Sequence, residues 1–270
     1  MLGCPFYEVT VVSPFITKIN MTHSSRYAGY SPAVDGLRAV AVIAVIINHF
    51  HAALLPGGYL GVDVFFVISG FVITSSLTGR ADAGARQFFL GFYQRRIKRL
   101  APALFVCVAA TSVLISWFNP YPYDHLKTGF LALFGLSNID LYLNAIDYWG
   151  DTAKLNPFTH TWSLGVEEQF YLVFPLLMWC TILARGAQGA LSRGWWVIAA
   201  LTAVSLAAYA YASAVAPAAA FYLVPFRFWE LGIGSLLFLL LYSGRVNGPR
   251  SMGNLPVYVI LGLLMAAMYL

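Results

Sequence analysis

Charge is what this chain of 270 residues has least of: only 10% of its residues are Asp, Glu, Lys or Arg, against about 25% in an ordinary soluble domain. With 60% of the residues hydrophobic and a mean hydropathy of +0.72, water is excluded as the main solvent of the fold. Cysteine is scarce as well. Cys4, Cys107 and Cys180 share no C-x-x-C spacing, and the last two lie in apolar runs, so they are expected to be packing residues, and no metal is expected. There is no G-x-S-x-G elbow, which argues against a serine nucleophile, and none of the five histidines has an aspartate five residues on, as a soluble-facing lipid acyltransferase would. No charged leader with a short apolar stretch and small-residue cleavage site opens the chain, so no removable signal peptide is expected. The net charge of +5 does not point to nucleic acid, because the basic residues fall at helix ends and not on an aromatic-interleaved polar face.

What is present is apolar sequence in long runs. A membrane span takes roughly 20 apolar residues, so the chain has room for about six to eight helices once loops are subtracted. Seven runs stand out, at residues 37–55, 60–78, 100–118, 162–184, 195–216, 221–243 and 254–270. Helices are the economical assignment, since an open strand leaves backbone polar groups unpaired in lipid. The expected fold is all-α, a polytopic transmembrane bundle with about seven helices present.

Arg80, Arg86, Arg95, Arg96, Lys98 and Arg99 follow the second run, Arg185 and Arg193 the fourth, and Arg245 and Arg250 the sixth. If the helices simply alternate, all of these fall on one side. The opposite loops, residues 56–59, 119–160 and the turn around Pro217, hold only Lys127 and Lys154. The positive-inside rule makes the arginine side cytoplasmic and places the amino terminus there too. Residues 1–30 carry no transmembrane pattern and read as an N-terminal cytoplasmic segment, with Met21 a candidate translation start. Residues 128–144 are nearly long enough to span but contain Asn138, Asp140 and Asn144. A crossing there would put Arg185 and Arg193 outside, so this stretch is expected to be re-entrant, interfacial or packed in the bundle. The last run reaches Leu270 without a polar flank, so the membrane domain, residues 31–270, reads as C-terminally truncated.

Ionisable groups inside hydrocarbon cost several kcal/mol on most estimates, which makes those in the runs functional candidates. Arg38 and His49 are eleven residues apart, hence only ~20° apart around a helix and ~16 Å along it. Arg38 could equally snorkel to phosphates and His49 serve as a packing residue. The PGGY turn makes a tight hairpin of the first two helices and brings Asp63 to roughly the depth of His49 or His51. There a carboxylate could hold an imidazole in the tautomer that accepts a proton from a hydroxyl, or merely cap the second helix. HTWSLGVEEQFY puts His160, Glu167 and Glu168 at or just inside the outer face. Arg227 and Glu230, three apart, are most simply a structural ion pair. In the loop FYQRRIKRLAP, Arg96 and Arg99 lie one helical turn apart, where two guanidiniums suit bidentate phosphate binding, although a positive-inside anchor would explain the basic charge too.

These stretches resemble the acyltransferase-3 family, the group of O-antigen, peptidoglycan and exopolysaccharide O-acetyltransferases. The resemblance rests on YSPAVDGLRAVAVIAVIINHF with its R-x10-H pair Arg38 and His49, GGYLGVDVFFVISGFVIT, the R-x-x-R pair Arg96 and Arg99, HTWSLGVEEQFYLVFPLL and RFWELGIGSLL, in family order over about residues 31–240. It implies a membrane domain of about ten helices in a bacterial inner membrane. It also implies an acyl-CoA donor on the cytoplasmic side, acetyl-CoA first, and a glycan acceptor reached from the periplasm, with the lipid bilayer as partner and no nucleic acid. On that reading His49, Arg38, Glu167 and Asp63 are the catalytic candidates and Arg96 and Arg99 bind the donor. Direct transfer with His49 as base, and an acyl-histidine intermediate, both remain open. A transporter or non-catalytic scaffold would also bury Arg, His and Glu in spans, but the sequence has no internal repeat of the kind transporters show.

Overall fold

The computed structural model describes residues 32–80, 84–147, 156–183 and 190–243. The segment 1–30, the run 254–270, and Lys154, Arg185, Arg245 and Arg250 lie outside the described residues. Within them the regular structure is helical throughout: α1 (Pro32–Phe50), a 3-10 turn (Gly58–Leu60) leading into α2 (Gly61–Thr78), α3 (Ala85–Phe118), α4 (Tyr123–Ala132), α5 (Ser137–Ile146), α6 (Thr161–Met178) with a π turn at Trp179–Leu183, α7 (Ala190–Val215), α8 (Pro217–Tyr222) and α9 (Val224–Tyr242). Among the described residues, four segments are long and apolar enough to cross a membrane: Gly58–Thr78, Ala85–Phe118, Arg193–Val215 and Pro217–Tyr242.

α1 and α2 form the tight hairpin the PGGY turn implies. Asn48 Nδ2 at the end of α1 donates to the carbonyls of Leu55 (2.9 Å) and Pro56 (3.0 Å), closing the turn. Gly58 and Gly61 then lie against the α1 backbone, where a Cβ would strike the carbonyl oxygens of Ala44 and Ala41. Only hydrogen at those positions lets the two helices approach so closely.

The basic segment FYQRRIKRLAP is not a loop. It is part of α3, one helix of 34 residues that continues through Pro102. At 1.5 Å per residue α3 is about 51 Å long, against about 30 Å of hydrocarbon. Its apolar half from Leu100 fills the membrane, and its basic half extends the same helix past one face. Gln, Arg, Lys and Leu are good helix formers, and proline inside a span is tolerated where neighbouring groups satisfy the freed carbonyl.

The run at 128–144 does pack in the bundle, as two short helices. α4 and α5 reverse at Gly135, whose φ of +67° is natural for glycine. The polar residues that made this run a poor span are all engaged. Asp140 takes the Lys127 ammonium at 2.7 Å and the Thr128 hydroxyl at 2.6 Å, and Asn138 Nδ2 donates to Tyr222 O at 3.0 Å.

The core gathers Phe66, Leu77, Phe92, Phe170, Phe174 and Phe238, all buried, from α2, α3, α6 and α9. α9 lies across α2 and α7, and glycines set both crossings. A Cβ on Gly70 would overlap the Leu231 carbonyl and one on Gly234 the Val67 carbonyl, while Gly232 abuts the Thr202 hydroxyl of α7. Small residues bring helix backbones together where lipid offers no hydrophobic drive. Cys107 and Cys180 are free and exposed on the outside of the bundle, so they are not the core packing groups the sequence suggested.

With α4 and α5 not crossing, Arg80, Arg86, Arg95, Lys98 and Arg99 share a side with Arg193. Reporter fusions at residues 90 and 188 are expected to read cytoplasm and one at 150 the opposite compartment; a cytoplasmic signal at 150 would overturn this arrangement.

Candidate active site

Three polar layers stack along the helices. The outermost holds His49, in the last turn of α1, and His160, just before α6. Their ring centroids are 4.7 Å apart with planes at 76°, an edge-to-face pair. His49 Nδ1 lies 2.8 Å from the carbonyl of Val45, one turn back. A carbonyl only accepts, so Nδ1 carries the hydrogen and Nε2 presents its lone pair. His160 is held below the ordinary histidine pKa by burial and by the neighbouring His49.

At the same end, Arg227 of α9 forms more than the pair with Glu230 read from the sequence. Its Nη1 donates to Glu230 Oε1 at 2.6 Å and to Asp63 Oδ1 of α2 at 3.1 Å, and its Nε donates to Phe221 O at 3.2 Å. The rings of Trp162, Tyr209 and Phe221 surround the guanidinium at 5.3 to 5.6 Å. A buried cation flanked by two carboxylates and aromatic faces is a structural post. It also engages Asp63, in the first turn of α2, which the sequence offered as a partner for an imidazole or as a cap: its Oδ1 is paired with Arg227, while the His49 ring faces Val45 O.

The middle layer centres on Glu167, seven residues and about 10 Å further along α6 than His160. The carboxylate is buried. Oε1 accepts from Ser69 Oγ of α2 at 2.5 Å and Oε2 from Tyr171 OH at 2.9 Å. Arg96 of α3 lies over the Tyr171 ring, 4.3 Å from its centroid, and both Arg96 and Arg38 bear electrostatically on Glu167. Arg38 itself is 3.7 Å from Asp35, above the Phe65 ring, and its buried Nε has no hydrogen-bond partner. The structure thus brings Arg38, Arg96 and Glu167 together. Ser69 and Tyr171 were missed by the sequence reading. Tyr171 could have been found from its i,i+4 relation to Glu167; Ser69 sits in an otherwise apolar stretch that offers no signal.

Two grooves connect these layers to their surroundings. One, of about 240 Å³, runs between α1, α2 and α6 past Ala41, Val45, Phe65 and Ser163, that is, between the levels of Arg38 and His49 on α1. The other, of about 540 Å³, lies between α3, the α4–α5 reversal and α6, apolar along Leu104 and Phe134 and polar at Arg96, Glu168 and Tyr171. The third layer is the basic start of α3. Arg99 is exposed there, one turn from the inward Arg96, while Arg80, Arg86 and Arg95 with Gln87 and Gln94 line a separate cleft of about 810 Å³. The sequence reading counted Arg80 and Arg86 only as topology signals.

Apolar helices around buried Arg227, Glu167 and Glu230 define a multi-pass membrane protein with a polar interior. The acyltransferase domain family, acyltransferase-3, matches residues 31–270, and the chain belongs to that family. It is 45% identical over 164 residues to an O-acetyltransferase OatA of Staphylococcus aureus, covering 60% of this chain and 26% of that protein. It is 36% identical over 160 residues to a peptidoglycan O-acetyltransferase OatA of Listeria monocytogenes, covering 58% and 26%. With the Bacillus subtilis protein YrhL it shares 30% identity over 231 residues, 85% of this chain and 36% of YrhL. The chain therefore spans about a quarter to a third of the length of these relatives. No solved structure matches it.

Proposed function

We propose that this chain is the membrane portion of an O-acetyltransferase that moves an acetyl group from acetyl-CoA, on the cytoplasmic side of a bacterial cell membrane, to a hydroxyl of a cell-envelope glycan on the other side. The relatives' names favour peptidoglycan over lipopolysaccharide as the acceptor. The observation that carries the reading is the His49 ring, with Nδ1 2.8 Å from Val45 O, on the same bundle as partly buried Arg38 and Arg96 beside the buried Glu167.

A sugar hydroxyl at neutral pH needs a base as it attacks a thioester. His49 Nε2 takes the hydroxyl proton while the oxygen bonds to the acyl carbon. The carbon–sulfur bond then breaks, and the electron pair leaves with the coenzyme A thiolate. The donor's nucleotide stays at the arginines of α3, and its pantetheine arm reaches inward between the helices. Arg38 and Arg96, next to Glu167, are suited to holding the polar parts of that arm and the charge that develops on the carbonyl oxygen.

The donor half of the reading is tested by replacing Arg96 and Arg99 together with lysine. Both variants keep the positive charge that sets insertion, but lysine loses the planar fork that pairs with phosphate and, at 96, the stacking on Tyr171. In the intact protein, acetyl-CoA binding measured by calorimetry is expected to weaken about tenfold, or ~1.4 kcal/mol. Unchanged affinity with retained transfer would reduce the pair to a topology anchor.

A further inference from the structure

His160 has no part in the reaction above, yet the chain goes to some length to hold it. The turn before α6 is pinned to α4. Asn156 Nδ2 donates to Thr128 Oγ1 at 2.8 Å, Asn156 Oδ1 accepts from the Phe158 amide at 2.9 Å, and the Phe158 ring lies so close over Gly129 that a Cβ there would strike it. Thr159 and Thr161 hydroxyls close the same turn onto the carbonyls of Asn156 and Phe158 at 2.6 and 2.7 Å. The product of this bracing is an imidazole set edge to face against His49.

The two contacts on His49 divide the work of holding it. Rotation of a histidine ring has two angles. The bond from Nδ1 to Val45 O fixes where one ring edge points but allows the ring to swing about that bond. A second ring packed against it at 76° restricts that swing. We propose that His160 is a positioning residue for His49: its ring fixes the plane of the His49 imidazole and aims Nε2 at the acceptor hydroxyl.

Two further observations support this. Partial burial and the nearness of His49 both disfavour the His160 imidazolium. Titratable groups at that end include His51, just beyond α1, Asp63 of α2, whose charge Arg227 balances together with that of Glu230, and the Lys127–Asp140 pair beside Thr128. The edge-to-face ring contact is suited to selecting one ring orientation.

The inference rests on His49 acting as base, and the test separates the two. In the intact protein His160→Ala is expected to lower kcat about 10–100-fold with KM little changed, since misaiming a base by about an ångström has that effect. His160→Phe, which keeps a ring, should recover most of the loss. His160→Lys puts a fixed cation beside His49 and disfavours its protonation, so the acid limb of kcat/KM should move to lower pH. A readout independent of turnover is modification of His49 by diethyl pyrocarbonate, which attacks only neutral imidazole; its pH midpoint should also fall in His160→Lys. If Phe is as poor as Ala, or the midpoint does not move, His160 does not position His49. If the midpoint moves as expected but transfer is indifferent to all three variants, the ring contact stands and His49 is not the base.

Discussion

His49→Ala is expected to cut glycan acetylation in the intact protein by about 10²–10⁴-fold, the usual weight of a lost general base. The loss should fall on the chemical step alone. The His49 ring is exposed, and its recorded contacts are with the Val45 carbonyl one turn back and with the His160 ring. Removing it leaves no buried polar group unpaired, since the Val45 carbonyl still belongs to the α1 ladder, so expression and thermal stability should stay close to wild type. Acetyl-CoA affinity should hold as well, because the α3 arginines lie well down the bundle from His49. The measurement is acetyl transfer at saturating donor alongside calorimetric donor binding, and kcat should drop with the dissociation constant unchanged. Near-normal transfer would make His49 a packing histidine. The search for the base would then turn to Glu167 and His160, since Asp63 is tied to Arg227.

The apolar runs were legible because each is a long stretch in one solvent, and a helix is the only open-chain structure hydrocarbon permits. The Arg227–Glu230 contact was legible for a similar local reason, as residues three apart meet on a helix face. What the sequence hid was pairing at long range. Asp63 could be placed in the first turn of α2, but its partner is 164 residues on, and neighbours in sequence made a histidine look like the better match. The Ser69–Glu167 bond, across 98 residues, was hidden for the same reason. The basic segment before Leu100 was misread as a loop because its charge set it apart from the apolar run that begins at residue 100. In fact, once the apolar half of α3 is helical, adding good helix formers at its start needs no new nucleus. The candidate site shows the same division. Local pattern put Arg38 and His49 on one face, whereas tertiary packing assigned Glu167 to the arginines and left His49 with His160.

Gly70→Leu is expected to prevent the bundle from assembling, although it swaps one apolar-compatible residue for another. Within α2 alone the change is favourable, since leucine forms helix better than glycine by nearly 1 kcal/mol. Against α9 it is not. Even a bare Cβ at Gly70 would overlap the Leu231 carbonyl, a backbone atom that no rotamer change can move aside. Gly234 meets the Val67 carbonyl in the same way from the opposite helix, so the crossing has no slack on either side. Separating the helices enough to admit a side chain would also break the Ser235 hydroxyl's contact with Gly70 O at 3.3 Å and loosen Phe71 from Phe238, whose centroids are 5.4 Å apart. Overpacking a close contact costs about 1–3 kcal/mol where the neighbours can shift, and more where they are backbone. In a membrane this packing is itself what holds the helices together. Detergent-solubilised Gly70→Leu should run as aggregate on size exclusion and give no thermal transition, and Gly70→Ala should melt several degrees low. Gly36→Ala in α1, where a Cβ meets nothing within 4 Å, is the control and should be neutral or slightly stabilising. A Gly70→Leu protein that stayed monodisperse with a wild-type melting temperature would show that α2 and α9 do not cross at this point.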